Sequence, residues 1–317
     1  MILQELFPLL FLEELEMKKM HGIVVPVVTP LDENDKVDVK ALTELCEFLV
    51  EKGIHCLYPC GTTGEMMNLS VEERKLVTET CLKVGKGKCD VFAHVGCMNL
   101  RDTVELAQHA EKIGCDGIGV VTPGFFKQSD DALLEYYKRV SASVSKDFPI
   151  YLYAIPQCAV NDISPALAER IAEACPNVVG IKYSWPDMSK IQEFTRVKNG
   201  EFSVLIGPDN LFFLTMCAGG VGVVSGTAMI VPEHCVGIYD KYMAGDFEGA
   251  RALQYKTNVI NHIINDVNNI SHYKALLKYR GVNCKRFMRS PGEDTTEAEE
   301  KKLIAALEAV NYTDATV

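Results

Sequence analysis

Positive charge is in short supply in this sequence. Its 317 residues hold 32 lysines and arginines against 43 aspartates and glutamates, giving a net charge of −11 and a pI near 5.2. That balance argues against nucleic acid as a partner, because a phosphate backbone is held by a basic surface. A run of about 18 apolar residues, the length of a membrane span, is also absent, so no transmembrane helix and no membrane partner are expected. The N-terminus lacks both the positive n-region and the uninterrupted apolar stretch of a secretory signal. Glu5, Glu13, Glu14 and Glu16 break up its apolar residues. Residues 1–20 are read as an N-terminal extension whose first 16 residues form an acidic amphipathic helix, with Met17 and Met20 as alternative starts. There are 12 cysteines but no C-x-x-C pair. Neither a zinc site nor a disulfide framework follows, and a reducing cytoplasm is the expected compartment. No metal cluster, phosphate loop or dinucleotide fingerprint occurs, so the expected cofactor is none and the expected metal is none.

What the chain does contain is an alternation. Hydrophobic residues make up 48% of it, ample for a core. Strand-like apolar runs fall at residues 22–30, 55–60, 90–95, 116–122, 149–154, 178–183, 202–206 and 222–224. Helical spacing follows at residues 38–53, after the capping box that opens at Ser70, at 99–113, 129–145 and 164–174, from Asp187, and near Asn210. Strands alternating with helices imply a parallel sheet, and near-continuous apolar strands imply burial on both faces. Eight such units over about 210 residues fit a (β/α)8 TIM barrel. An open doubly wound sheet would carry a glycine fingerprint after its first strand, and Thr29-Pro30-Leu31-Asp32 is not one. From Pro232 onward the pattern is purely helical. The expected organisation is an α/β fold: extension 1–20, barrel 21–231, and a C-terminal helical extension 232–317 that either covers the barrel or shares in oligomer contacts.

In such a barrel the active site lies where the strands end. Strand six delivers Lys182 at the end of Val178-Val179-Gly180-Ile181, an otherwise apolar segment. A buried lysine with a lowered pKa is an amine nucleophile toward carbonyls; the alternative is a lysine that closes the strand and reaches solvent. Strand two delivers Gly61-Thr62-Thr63-Gly64-Glu65, whose hydroxyls and backbone N–H groups suit a small carboxylate or simply form a tight turn. Strand five delivers Tyr153, a phenol able to relay a proton or an ordinary half-buried aromatic. Gly207 and Asp209 end strand seven, where Asp209 either binds substrate or caps a helix. Val224 ends strand eight. Together these residues form the set for one reaction class. The lysine attacks the ketone of a 2-oxo acid, Thr62 and Thr63 hold its carboxylate, and Tyr153 moves protons while a C–C bond forms or breaks.

With these motifs in this order, the sequence resembles the N-acetylneuraminate lyase/dihydrodipicolinate synthase family of Schiff-base lyases. The resemblance rests on Gly61-Thr62-Thr63-Gly64-Glu65, Tyr153-Ala154-Ile155-Pro156, Gly180-Ile181-Lys182 and Gly219-Gly220-Val221-Gly222, and spans residues 22–309. It implies a (β/α)8 barrel, a homotetramer and pyruvate as substrate. It also implies Lys182 as the Schiff-base lysine, Tyr153 as the catalytic phenol, and Thr62 and Thr63 as the carboxylate site.

The sequence departs from the family at four places, one of them Ala159-Val160, where the lyase branch usually has a Thr-Gly or Ser-Gly pair. Where the synthase branch has an arginine for its aldehyde's carboxylate, this chain has Cys158, and a thiol does not replace a bidentate guanidinium. The lyase branch's acidic residue after the aspartate is Asn210 here. Phe125 stands where both branches donate a tyrosine across a subunit interface, so the proton relay runs through Tyr153 and the substrate, or through a substitute such as Tyr58, or is weak. The leading expectation is cleavage of a 2-oxo-3-deoxy sugar acid. The alternatives are a synthase-type condensation or a sugar-acid dehydration using the same lysine, and a catalytically reduced protein that binds 2-oxo acids.

Overall fold

The computed structural model describes residues 17–264 and 269–316. The helix expected over residues 1–16 lies outside the described residues. Eight parallel strands close into a barrel in sequence order: β1 (Gly22–Val25), β2 (Cys56–Leu57), β3 (Asp90–His94), β4 (Gly117–Val121), β5 (Ile150–Ala154), β6 (Val178–Tyr183), β7 (Ser203–Ile206) and β8 (Gly222–Val224). Pairing of β1 with β8, Ile23 opposite Val223, completes the ring. Between and after the strands run α1 (Val39–Glu51), α2 (Val71–Gly85), α3 (Leu100–Ile113), α4 (Asp130–Ser141), α5 (Pro156–Ala159), α6 (Pro165–Ala174), α7 (Met188–Phe194) and α8 (Phe212–Cys217). The helices start where their caps dictate. Ser70 accepts from the Glu73 amide while the Glu73 carboxylate accepts from the Ser70 amide, and Asn99, Ser129, Ser164 and Asp187 cap the later helices. The single turn α5 has no counterpart in the sequence reading, because four residues carry no periodicity. After β7 a 3-10 turn at Asp209–Leu211 precedes the helix expected there.

Side-chain alternation sorts the strands into two layers. Ile23, Leu57, Val91, Ile118, Leu152, Val204 and Val223 face outward into the helix layer. Val24, Cys56, Phe92, Tyr151, Leu205 and Val224 fill the barrel interior together with Tyr58. Met20 joins this inner cluster: its amide donates to the Tyr151 hydroxyl at 2.9 Å and its carbonyl accepts from the Ser203 hydroxyl at 3.2 Å. Gly119 makes room on β4, since a Cβ there would lie 1.9 Å from the Tyr58 hydroxyl.

One strand breaks the alternation. On β6, Val179 faces the interior while Ile181 and Tyr183 both face the helices. Strict alternation from Val179 would put Lys182 outside. The β5–β6 register instead slips by one residue, Ile150 opposite Val178 but Tyr151 opposite Gly180, and this bulge returns Lys182 to the inner face. Gly180 is the residue that can occupy the step: a Cβ there would lie 2.3 Å from the Ser203 carbonyl oxygen and 2.4 Å from the Tyr151 ring. Beyond the slip, Tyr153 pairs with Lys182.

The C-terminal helices are α9 (Pro232–Met243), α10 (Phe247–Ile264), α11 (Ile270–Leu277) and α12 (Glu297–Ala309). They do more than cover the barrel. Gln254 and Asn261 of α10 donate to the β7 loop, and Lys274 of α11 reaches the turn after β2. No helix among the described residues is long and apolar enough to cross a membrane.

Candidate active site

The C-terminal ends of the strands surround a cleft of about 430 Å³. Lys182, Tyr153, Thr62, Thr63, Gly207, Asp209 and Val224 all line it. These are the residues the sequence singled out, brought together from five strand ends. Lys182 is 5% exposed. Its Nζ sits 4.0 Å from the centroid of the Tyr153 ring and 5.4 Å from that of Tyr58, both in cation–π range. The Tyr153 hydroxyl is 3.0 Å from Thr62 Oγ1. An amine, a phenol and a hydroxyl thus form a continuous chain over three strands.

The turn that carries the threonines is fixed from two sides. Thr29 Oγ1 donates to the Gly64 carbonyl at 2.7 Å, holding the turn to β1. Glu65 takes a left-handed φ of 58°, which turns its side chain beneath the rim. There it accepts from Lys274 Nζ at 2.5 Å, and the Lys274 side chain is fully buried. Lys274 also donates to the Phe287 carbonyl at 2.6 Å.

Asp209 forms a knot. One carboxylate oxygen accepts from Thr227 Oγ1 at 2.6 Å, from the Thr227 amide at 3.3 Å and from Asn261 Nδ2 at 3.1 Å; the other is buried with no partner. Burial raises its pKa, opposed by the Thr227 hydrogen bond and the nearby Lys182 charge. The carboxylate therefore joins β7, β8 and α10 and is turned away from solvent. Asn210 beside it is exposed on the rim.

Beneath Tyr153 lies His94, edge-on to its ring with centroids 5.7 Å apart. The Val121 amide donates to His94 Nε2 at 3.3 Å, so Nδ1 carries the proton and donates to the Cys60 carbonyl at 2.8 Å. Burial and the charges of Arg74 and Lys182 hold this imidazole well below its ordinary range. The unfolded chain then binds a proton, below about pH 6.5, that the native state does not. Stability is complete above that pH and falls as the pH drops, by up to about 1.4 kcal/mol per pH unit. His55 and His234, also depressed by burial, act in the same direction. His94→Gln is expected to flatten the slope between about pH 6.5 and 5.5 in urea unfolding; a slope equal to wild type would remove His94 as a source.

Tyr58 makes no hydrogen bond to Tyr153, Thr62 or Lys182. Its hydroxyl is buried against Gly119 without a hydrogen-bond partner, and burial, with the neighbouring Tyr153, keeps it a neutral phenol. Phe125 is 76% exposed at a φ of 69°, edge-to-face with Phe126, and points away from this chain's own cleft.

Ser184 also lines the cleft, as do Gln157, Asn261 and Tyr273, which the sequence reading missed. The last two come from α10 and α11. A signal for Asn261 was present: Gln254, Asn258 and Asn261 repeat at helical spacing beside the apolar face of α10, and Gln254 is only 4% exposed.

Comparison with known proteins agrees with this geometry. The sequence profile of the dihydrodipicolinate synthetase family matches residues 19–310. The chain is 33% identical over 287 residues to the 4-hydroxy-tetrahydrodipicolinate synthase of Acidiphilium cryptum, covering 90% of this chain and 97% of that protein. The crystal structure of dihydrodipicolinate synthase from Aquifex aeolicus superposes with a TM-score of 0.86 at 32% identity, over 93% of this chain and 99% of that one. The wild-type sialic acid aldolase of Ruminococcus gnavus gives a TM-score of 0.87 at 29% identity, over 93% and 98%. With a family profile spanning the barrel and the C-terminal helices alike, this chain belongs to the dihydrodipicolinate synthetase family and is a class I lyase/aldolase, working on a carbon–carbon bond of a 2-oxo acid through a Schiff-base lysine.

Proposed function

We propose that this enzyme condenses pyruvate with an aldehyde through an imine at Lys182. The observation that carries the reading is the chain from Lys182 Nζ, over the Tyr153 ring at 4.0 Å, to the 3.0 Å contact between the Tyr153 hydroxyl and Thr62. The Lys182 amine adds to the pyruvate ketone, and loss of water leaves an iminium. The carboxylate rests on the Thr62-Thr63 turn. Removal of a C3 proton gives an enamine, with the iminium nitrogen as electron sink. C3 then attacks the aldehyde carbon; the carbonyl electron pair moves to oxygen, which takes a proton from Tyr153. Tyr153 is able to do this because it first protonates the hydroxyl that leaves in the initial dehydration and is restored by the C3 proton; after protonating the aldehyde oxygen it is restored again by the water that adds next. Water adds to the new iminium, releasing a 4-hydroxy-2-oxo acid and the free amine. With Phe125 outside the cleft and Tyr58 unable to reach it, Tyr153 and Thr62 carry the protons.

Synthesis is placed ahead of the sugar-acid cleavage expected from sequence. Support comes from the synthase relatives, at 32–33% identity against 29% for the sialic acid aldolase. The aldolase's fold similarity and the polar side chains of the cleft favour cleavage as the second reading.

The test is borohydride reduction with pyruvate. A mass increment at Lys182 is expected, and folded protein without one sinks both readings. Tyr153→Phe should still be trapped but turn over about 10²–10⁴-fold more slowly, the usual range for a proton-transfer group. An unchanged rate would remove Tyr153 from the mechanism.

A further inference from the structure

Two side chains of the C-terminal helices enter the polar cleft without a part in the proton transfers. Tyr273 of α11 and Asn261 of α10 line it together with Lys182. Both meet the turn that follows β8, at consecutive residues. The Tyr273 hydroxyl lies beside Gly226, where an added Cβ would stand 3.1 Å from it, and the Asn261 amide rests on Thr227. Gly226 has an ordinary helical backbone, φ −68° and ψ −37°, so its conformation does not require glycine. What the missing side chain leaves is room around the Tyr273 hydroxyl.

Each of the two groups has hydrogen-bonding capacity to spare. Tyr273 is 8% exposed, and its hydroxyl meets no hydrogen-bond partner among the described residues. Burial and the charge of Asp209 keep it a neutral phenol, and so a donor. The Asn261 amide is oriented by its neighbours. Thr227 Oγ1 gives its proton to Asp209 at 2.6 Å, so it accepts from Asn261 Nδ2 at 2.6 Å; the same Nδ2 donates to the Asp209 carboxylate at 3.1 Å. With both N–H groups spent, Oδ1 is left as an acceptor with no partner among the described residues.

A phenol that donates, beside an amide oxygen that accepts, is the complement of one hydroxyl. A carboxylate would meet the phenol but also Asn261 Oδ1 and the nearby Asp209 charge. Among the described residues the cleft lining has no arginine, and no lysine but Lys182, to offset them. An alkyl group would leave both polar groups unpaired.

We propose that Tyr273 and Asn261 determine specificity by binding a hydroxyl of the aldehyde partner. The inference rests on the condensation reading above, in which the aldehyde carbon meets the enamine on Lys182 and its oxygen meets Tyr153. The rest of the aldehyde then extends along the cleft toward the turn after β8. Strand ends carry out the reaction, and the C-terminal helices select what enters it.

The experiment supplies pyruvate with glyceraldehyde, propanal or succinic semialdehyde, and follows pyruvate consumption and product mass. In the wild type, kcat/KM for glyceraldehyde is expected to exceed that for each of the others by at least about tenfold. Tyr273→Phe should cut the glyceraldehyde-to-propanal ratio by about tenfold or more, the scale of one lost hydroxyl contact. The intrinsic reactivity of the two aldehydes is the same for every variant, so the change in the ratio reports the contact. Gly226→Ala, whose methyl crowds the same hydroxyl, should move the ratio the same way, and it decides the matter if Tyr273→Phe does not fold. A wild type without preference for glyceraldehyde overturns the inference. So does a ratio that the deciding variant leaves in place, the signature of a purely structural Tyr273. Borohydride trapping of pyruvate separates the two levels: an adduct with the wrong aldehyde preference overturns this inference alone, and no adduct overturns the condensation reading with it.

Discussion

Lys182→Ala protein mixed with pyruvate and borohydride should gain no mass on any peptide, and turnover should fall by about 10⁴–10⁶-fold, as when a covalent nucleophile is removed. The expectation is this sharp because the cleft offers no second amine: Lys182 is the only lysine in its lining among the described residues. Lys182→Arg separates charge from nucleophilicity. A guanidinium keeps the positive charge over the Tyr153 ring but does not form an imine with a ketone. If Lys182→Arg retained substantial turnover, the lysine would be acting as a charge and the covalent mechanism would fall. Neither change should unfold the protein. The lysine's side-chain nitrogen makes no ion pair with a described residue and rests on two aromatic rings, so its removal breaks no salt bridge. Thermal unfolding within a few degrees of wild type is the control.

The largest expected effect on stability comes from the other buried lysine. Lys274 and Glu65 have side-chain exposures of 0% and 3% and meet at 2.5 Å. Removing one member of such a pair leaves its partner charged in a low-dielectric site, at a cost of about 3–5 kcal/mol. Lys274→Met should lower the urea-unfolding free energy by that amount, since Glu65 keeps only the Arg289 amide at 3.3 Å and the Phe287 carbonyl loses its donor. Replacing both partners by apolar residues, Lys274→Met with Glu65→Leu, should recover much of the loss, because the desolvation penalty disappears with the second charge. A double variant less stable than Lys274→Met alone would show that the pair is favourable in itself. Activity should not recover with stability. Glu65 shapes the turn bearing Thr62 and Thr63, so the double variant is expected to fold well and to bind pyruvate poorly.

How much of this was legible in the sequence depends on the range of the interaction. The barrel was readable because each βα unit writes its own local signal, an apolar run followed by a capped helical stretch. Lys182, Tyr153, Thr62 and Thr63 were readable because barrel geometry sends every strand end to one rim. The Glu65–Lys274 pair was not, since 209 residues separate its members and nothing local to Lys274 marks it as buried. Tyr273 was missed for the same reason, and Asn261 in spite of its helical polar repeat: both enter the cleft only through the packing of α10 and α11 on the barrel. His94 reads as an ordinary strand residue until Arg74, Cys60 and Val121 close around it. The substrate class was the least legible, because a cavity is made by what several distant segments leave empty.

The inner-face position of Lys182 has a cause that the motif Gly180-Ile181-Lys182 conceals. Its address is a backbone count: the side chain reaches the barrel interior because one residue, Val179, is skipped in pairing with β5 just before Gly180. The glycine and the lysine are therefore one heritable unit, and neither carries the chemistry without the other. A lysine written at the same distance along an unbulged strand would point into the helix layer, where an imine has no substrate to meet. Anyone transplanting this activity into another barrel has to move the missed step along with the amine.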